Sequence, residues 1–242
     1  MTAPRDPGDE RGSDPRPANP QDLPRQRSGV VPQMRGRYPD WDVLSQADHW
    51  DAETRRVVLE RVDDVPPIRF FGEDEARSLH VFCDTVMAQT EDPRIPVLSF
   101  IDDKLFRGRS EGYQYASMPK DGDTWRLLAR GLDERARSLE APGFADAPVD
   151  VRIRIVGELQ RGELGGGVWE RLDPQLTWKV VMNAVLDAFY SHPWAWNEIG
   201  FSGPAYPRGF ARMGVGLKEA WEPEEAFELD PVRDVAERGL DL

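Results

Sequence analysis

Three X-Pro steps and three glycines fall between Tyr190 and Phe210, in YSHPWAWNEIGFSGPAYPRGF, where a strong helical pattern ends. The steps His192-Pro193, Gly203-Pro204 and Tyr206-Pro207 push the residue before each proline toward extended conformations. Gly200, Gly203 and Gly209 permit turns that other residues resist. The stretch is therefore expected to be a loop through which no helix runs. It also carries Tyr190, Trp194, Trp196, Phe201, Tyr206 and Phe210, too many aromatics for a solvated linker. A loop this rigid and apolar must pack, either on the chain's own body or on a partner.

The sequence before it reads as mainly α, a compact multi-helix domain. Asp51 is placed to cap a helix carrying Val57, Val58, Arg61 and Val62, which Pro66-Pro67 end. Phe70-Phe71 precede a helix with an i, i+3, i+4 stripe through Ala76, Leu79, Phe82, Cys83, Val86 and Met87. Pro96 suits the first turn of a third helix with Phe100, Ile101, Lys104 and Leu105. Asp123 is a candidate cap for a fourth with Trp125, Leu128, Leu132, Ala136 and Leu139. A fifth is expected over Val149–Glu163, although Ile153–Val156 also fits a short strand. Asp173-Pro174, an N-cap followed by proline at the first helical position, opens a sixth through Leu176, Val181, Val185 and Phe189.

This order gives four regions. Residues 1–36, rich in Pro, Arg, Asp and Gly and poor in large apolar side chains, are expected to be a disordered leader. Residues 37–66 form an extension with one helix, 67–217 the helical domain, and 218–242 an acidic tail. From Glu219 on, the tail holds nine acids and two arginines, with Trp221, Phe227 and Leu229 among them, so it is expected either to be disordered or to lie along a basic surface.

Charge and residue types exclude several chemistries. The net charge is −13, which argues against nucleic-acid binding because phosphates need an excess of Lys and Arg. No apolar run is long enough to span a bilayer, and no secretory or twin-arginine signal is read, so the expectation is a cytoplasmic protein, or a periplasmic or membrane-associated one only if a partner carries an export signal. Cys83 is the single cysteine; it sits on an apolar stripe near several acids, which suits a buried thiol rather than a nucleophile. His49, His80 and His192 lie in separate segments without metal-ligand spacing, and His80 and Asp84 are one helical turn apart. Gly165–Gly167 follows a helix rather than a strand and lacks the spacing of a phosphate cradle. Asp102 and Asp103 are adjacent and read as a solvated face. No catalytic, cofactor-binding or metal set emerges.

The residues of the aromatic stretch carry a resemblance. Tyr190-x-His192-Pro193, Trp196 through Phe201, Gly203-Pro204 and Tyr206-Pro207-x-Gly209-Phe210 resemble the C-terminal signature of the gluconate 2-dehydrogenase subunit 3 family. Phe70-Phe71-x-Glu73 entering a helix and Pro96 through Asp102 resemble its earlier elements. The resemblance covers about Phe70 to Gly214. It implies a small helical accessory subunit whose partner is the large subunit of a flavin-dependent dehydrogenase of the glucose–methanol–choline type. FAD and the reacting sugar or sugar acid belong to that partner, and this chain holds no cofactor of its own.

On that basis Trp194, Trp196 and Tyr206 are the expected anchors on the partner. His192 and Glu198 are polar contacts, or hydrogen-bond partners that fix the loop. Two alternatives stand beside this: a free-standing enzyme or small-ligand protein using His192 and Glu198, and a homo-oligomeric scaffold in which the loop meets its own copy. The added segment Tyr38–Asp51 holds aromatics but no motif that translates into chemistry.

Overall fold

Local signals set most of the helix ends. Asp51 accepts the Thr54 N–H at 2.7 Å and starts α1 (Ala52–Asp63). Asp173 does the same for Leu176 at 2.9 Å, with Pro174 at the first position of α6 (Pro174–Tyr190). These caps satisfy N–H groups that have no intrahelical partner. In the computed structural model, residues 38, 41–90, 92–109, 112, 114–212, 214 and 217–223 are described. The expected leader 1–36 and the tail residues Phe227 and Leu229 lie outside them.

Among the described residues the chain is all helical. Between α1 and α6 come α2 (Glu73–Val86), α3 (Val97–Phe106), α4 (Asp121–Ser138) and α5 (Val149–Arg161). Two 3₁₀ helices, Val43–His49 and Gly167–Glu170, complete this part. Pro96 occupies the N-cap position of α3. Helix α4 begins two residues before Asp123, which sits in its first turn, where the helix dipole favours a carboxylate. Ile153–Val156 is helical, a turn of α5.

Helices α2 to α6 enclose one large core. Helix α2 packs on α3, α4 and α5, and α6 packs on α3, α4 and α5 from the other side. Phe82, Trp125, Leu128, Phe144, Val181 and Phe189 fill the space between them. Arg135 of α4 donates to both oxygens of Glu158 on α5 at 2.7 and 2.8 Å, and this holds the Glu158 carboxyl below the usual range.

Asp102 departs from its reading as a solvated face. It is fully buried, and its carboxylate accepts N–H groups of Arg69 (2.7 Å), Phe70 (2.9 Å) and Phe71 (3.0 Å). Those donors belong to the extended segment before α2, which has no strand partner to satisfy them. Adjacent Asp103 is the outward one, paired with Arg107 at 2.8 Å and also with Arg69.

The expectation that no helix crosses the Tyr190–Phe210 stretch is also corrected. Helix α7 (Pro193–Ile199) runs through its middle. Pro193 takes the first helical position, where a missing N–H costs nothing, and Gly200 ends the helix at φ 68°. The prolines and glycines bound a short helix instead of preventing one.

Candidate docking surface

What the aromatic stretch packs against is the chain's own extension. Val43 and Ala47 of the first 3₁₀ helix, Trp50 just after it, Val58 of α1 and Trp196 of α7 form a second, small core. Asn197, fully buried, accepts the Val43 N–H at 2.8 Å across 154 residues of sequence, and its Nδ2 lies 3.4 Å from Asp42 Oδ1. Gly200 and Gly203 make the approach possible. At Gly200, with φ 68°, a Cβ would collide with the Tyr38 ring. At Gly203, with φ 80°, one would lie 2.8 Å from Trp50 Cζ2 and 3.0 Å from Val43 Cγ2. Both positions combine left-handed backbone with close contact, so glycine is required twice over.

The five residues singled out in the sequence separate into an inner and an outer group. Trp196 is 6% exposed, donates its indole N–H to the Tyr190 carbonyl at 2.7 Å and stacks edge-on against Phe201. It is a core residue of this chain and offers no face for a partner. Trp194 is half-buried against the large core. Glu198 is buried. His192 is 1% exposed and caps α7, its Nδ1 accepting the Trp194 N–H at 3.2 Å. Burial pushes its imidazole down to about 4; a hydrogen bond with the Arg61 backbone opposes that shift and the Arg61 charge adds to it. The ring is therefore neutral at ordinary pH, the form whose Nδ1 can accept. Only Tyr206, 66% exposed, faces outward.

Tyr206 lies on a turn that the Gly209 N–H closes onto the Ala205 carbonyl at 2.7 Å. Arg208 on the same turn donates from Nη1 to Gln46 Oε1 at 2.9 Å, and its guanidinium lies 4.1 Å from the centroid of the Trp221 ring. Trp221 also meets Phe210, centroids 5.1 Å apart. The start of the acidic tail thus folds back on a basic, aromatic turn. Around it Ile199, Phe201, Tyr206 and Phe210 all remain more than 40% exposed.

Elsewhere the candidate chemistry resolves into structure. Cys83 is buried, and burial together with Asp84 pushes its thiol well above the usual range. His80, itself exposed, places Nε2 3.7 Å from Oδ2 of Asp84, a buried carboxylate one helical turn away that also pairs with Arg94 at 2.6 Å. The Gly165–Gly167 turn leads to Val168, whose N–H is taken by the Glu134 carboxylate at 3.2 Å, an acid where a phosphate cradle would need none. Among the described residues no group of three or more His, Cys, Asp or Glu could hold a metal ion, and no helix is long and apolar enough to cross a membrane.

The sequence model of the family described as Gluconate 2-dehydrogenase subunit 3 matches residues 73–203, more than half of the 242 residues. The chain belongs to the gluconate 2-dehydrogenase subunit 3 family. No curated protein and no solved structure matches it. By the family's description its members are subunits of a dehydrogenase complex, and this is the coarse role the match assigns. The gluconate 2-dehydrogenase subunit 3 region runs from the first residue of α2 to Gly203, just past α7. The extension that covers α7, and the Tyr206–Phe210 turn, both lie outside it.

Sequence reasoning missed Asn197, Arg208 and the role of the extension. A signal was present for the last: Val43, Ala47 and Trp50 stand at i, i+4 and i+7, one face of a helical turn. Nothing local marks Asn197, whose partner is 154 residues away.

Proposed function

We propose that the chain is a non-catalytic accessory subunit that binds and stabilises the large subunit of a flavin-dependent dehydrogenase of the glucose–methanol–choline type. FAD and the sugar or sugar-acid site belong to that partner. The observation that carries this reading, beyond family membership, is the crowding of exposed Ile199, Phe201, Tyr206 and Phe210 on a stretch whose other side is pinned by the small core. Rigid aromatic side chains held outward lose little entropy on docking, and Tyr is among the residue types that dominate interface energetics.

The alternative, an enzyme working through His192 and Glu198, finds less support. His192 is sealed, neutral and occupied as a helix cap. The clefts beside α3, α4 and α6 are lined by Lys104, Arg109, Asp121 and Trp125, and neither His192 nor Glu198 reaches them.

The test is co-expression with a flavin-dependent dehydrogenase large subunit of the glucose–methanol–choline type. The expected result is a stable heteromer with a flavin spectrum and a higher melting temperature for the large subunit than when it is made alone. An interface of this kind should bury at least about 1,200 Å² in total. A chain that fails to co-purify, or that reduces a dye with a sugar by itself, overturns the reading.

A further inference from the structure

Acids vanish from one part of this acidic chain. The sequence holds 44 Asp and Glu against 31 Lys and Arg, yet from Ile199 to Lys218 it has no acid and three cations, Arg208, Arg212 and Lys218. The same stretch carries Tyr206 and Phe210, both largely exposed. Apolar side chains set among cations, on a protein of net charge −13, mark a face chosen for something other than solubility.

Arg208 is the centre of that face and is incompletely satisfied. Its Nη1 donates to Gln46, but Nε and Nη2 are shut from solvent and have no acceptor among the described residues. Trp221 covers the guanidinium without offering an oxygen. The described acids of the tail's start are committed elsewhere: the Glu219 carboxylate accepts N–H groups of Ala211 and Arg212 at 2.6 and 2.5 Å, and Glu222 accepts the Glu219 N–H. Shielded N–H donors on a cation without acceptors are costly to leave so. The Nε–Nη2 edge matches the two oxygens of a carboxylate.

We infer that the Ala205–Gly209 turn docks on a carboxylate-bearing apolar surface of the dehydrogenase catalytic subunit. An Asp or Glu of that subunit takes the Nε–Nη2 edge of Arg208 as Trp221 moves off it, while Tyr206 and Phe210 cover the apolar ground beside it. This rests on the accessory-subunit reading above and names the surface and the partner chemistry. A second copy of the chain suits the face less well, because in a two-fold contact the basic stretch would meet itself.

The experiment measures affinity for the co-expressed catalytic subunit, at low and high salt, for the full chain and for Arg208→Gln, Arg208→Glu and Tyr206→Ala. Arg208→Gln should weaken binding by about thirtyfold or more, with Arg208→Glu worse, because an interfacial carboxylate is left unpaired. Tyr206→Ala should also weaken it, and salt should weaken wild type more than Arg208→Gln. Hydrogen exchange on the wild-type complex needs no variant and should show new protection at 205–212. If the wild-type pair forms but Arg208→Glu binds within about twofold of it, or 205–212 gains no protection, the inference fails while the accessory reading stands. If wild type does not bind at all, both fail. Self-association of the chain alone that Arg208→Glu abolishes would make a second copy the occupant and likewise overturn it.

Discussion

The large core of α2–α6 and the small core beneath α7 bury apolar side chains by the same rule but with different security. In the first, five helices surround Trp125, Phe82 and Phe189 on every side, and one of the polar groups taken inside, Asp102, accepts three N–H groups. In the second, five buried side chains join two segments far apart in the chain, and the indole N–H groups of Trp41 and Trp50 are buried without acceptors among the described residues. Unsatisfied donors subtract from what burial contributes, by about 1 to 3 kcal/mol each. The small core should be the weaker unit, and it is the one that holds the proposed docking face in place.

The largest effect is expected from Asp102→Ala. Losing one carboxylate that serves three backbone donors should cost on the order of 5 kcal/mol in denaturant unfolding, enough to remove most of a typical domain's stability. Asp102→Asn, which keeps one carbonyl acceptor, should cost clearly less. If the two variants unfold at the wild-type midpoint, the large core does not depend on this anchor.

Trp196→Ala should follow at about 4 kcal/mol, the usual scale for emptying a buried aromatic site. Its signature is local. Hydrogen exchange should lose protection over Val43–His49 and α7 while α2–α6 keep theirs. Equal loss across the whole body would show that the two cores unfold as one and would break the comparison.

The third effect depends on pH. His192 has a folded pKa of about 4, below its ordinary value of 6.5. Between those values the unfolded chain binds the extra proton, so stability rises with pH. The contribution is complete above pH 6.5 and gone below about pH 4, a span of about 3 kcal/mol. Because carboxylates also titrate there, the measurement is the difference between wild type and His192→Asn, which keeps a capping acceptor. A difference that stays flat from pH 7 to pH 4 would mean that His192 is not buried as a neutral cap.

The smallest effect on stability belongs to Tyr206→Ala, within about 0.5 kcal/mol of wild type in thermal unfolding. The same variant is expected to weaken association with the catalytic subunit. A large loss of stability would place Tyr206 in the fold rather than on the docking face and erase the contrast between inner and outer residues.

Much of the helical body was legible because its signals are short-range. Asp51, Asp173-Pro174 and the stripe from Ala76 to Met87 specify helix ends and faces within a few residues of themselves. Asp102 was misread because adjacency to Asp103 says nothing about which of two carboxylates turns inward; that depends on where residues 69–71 lie. Helix α7 is hard to read from the sequence because His192-Pro193 and Gly200 are breakers of a long helix, yet the seven residues Pro193–Ile199 are enough for a short one that a proline starts and a glycine stops. Family kinship was readable from the same residues, since the motif from Tyr190 to Phe210 is a matter of identity and spacing; the family match takes in its part up to Gly203.

Residue order alone specifies a mainly α-helical body, its acidic character, its family and an aromatic C-terminal stretch that has to be packed. It could not say against what. Val43 and Asn197 stand 154 residues apart, and only a folded chain brings their N–H and side-chain oxygen to 2.8 Å. That contact turns Trp196 inward and leaves Tyr206 and Phe210 outside. Hydrophobicity states that a side chain must leave water, but not which surface receives it; that choice follows from shape and from the backbone groups available to pair.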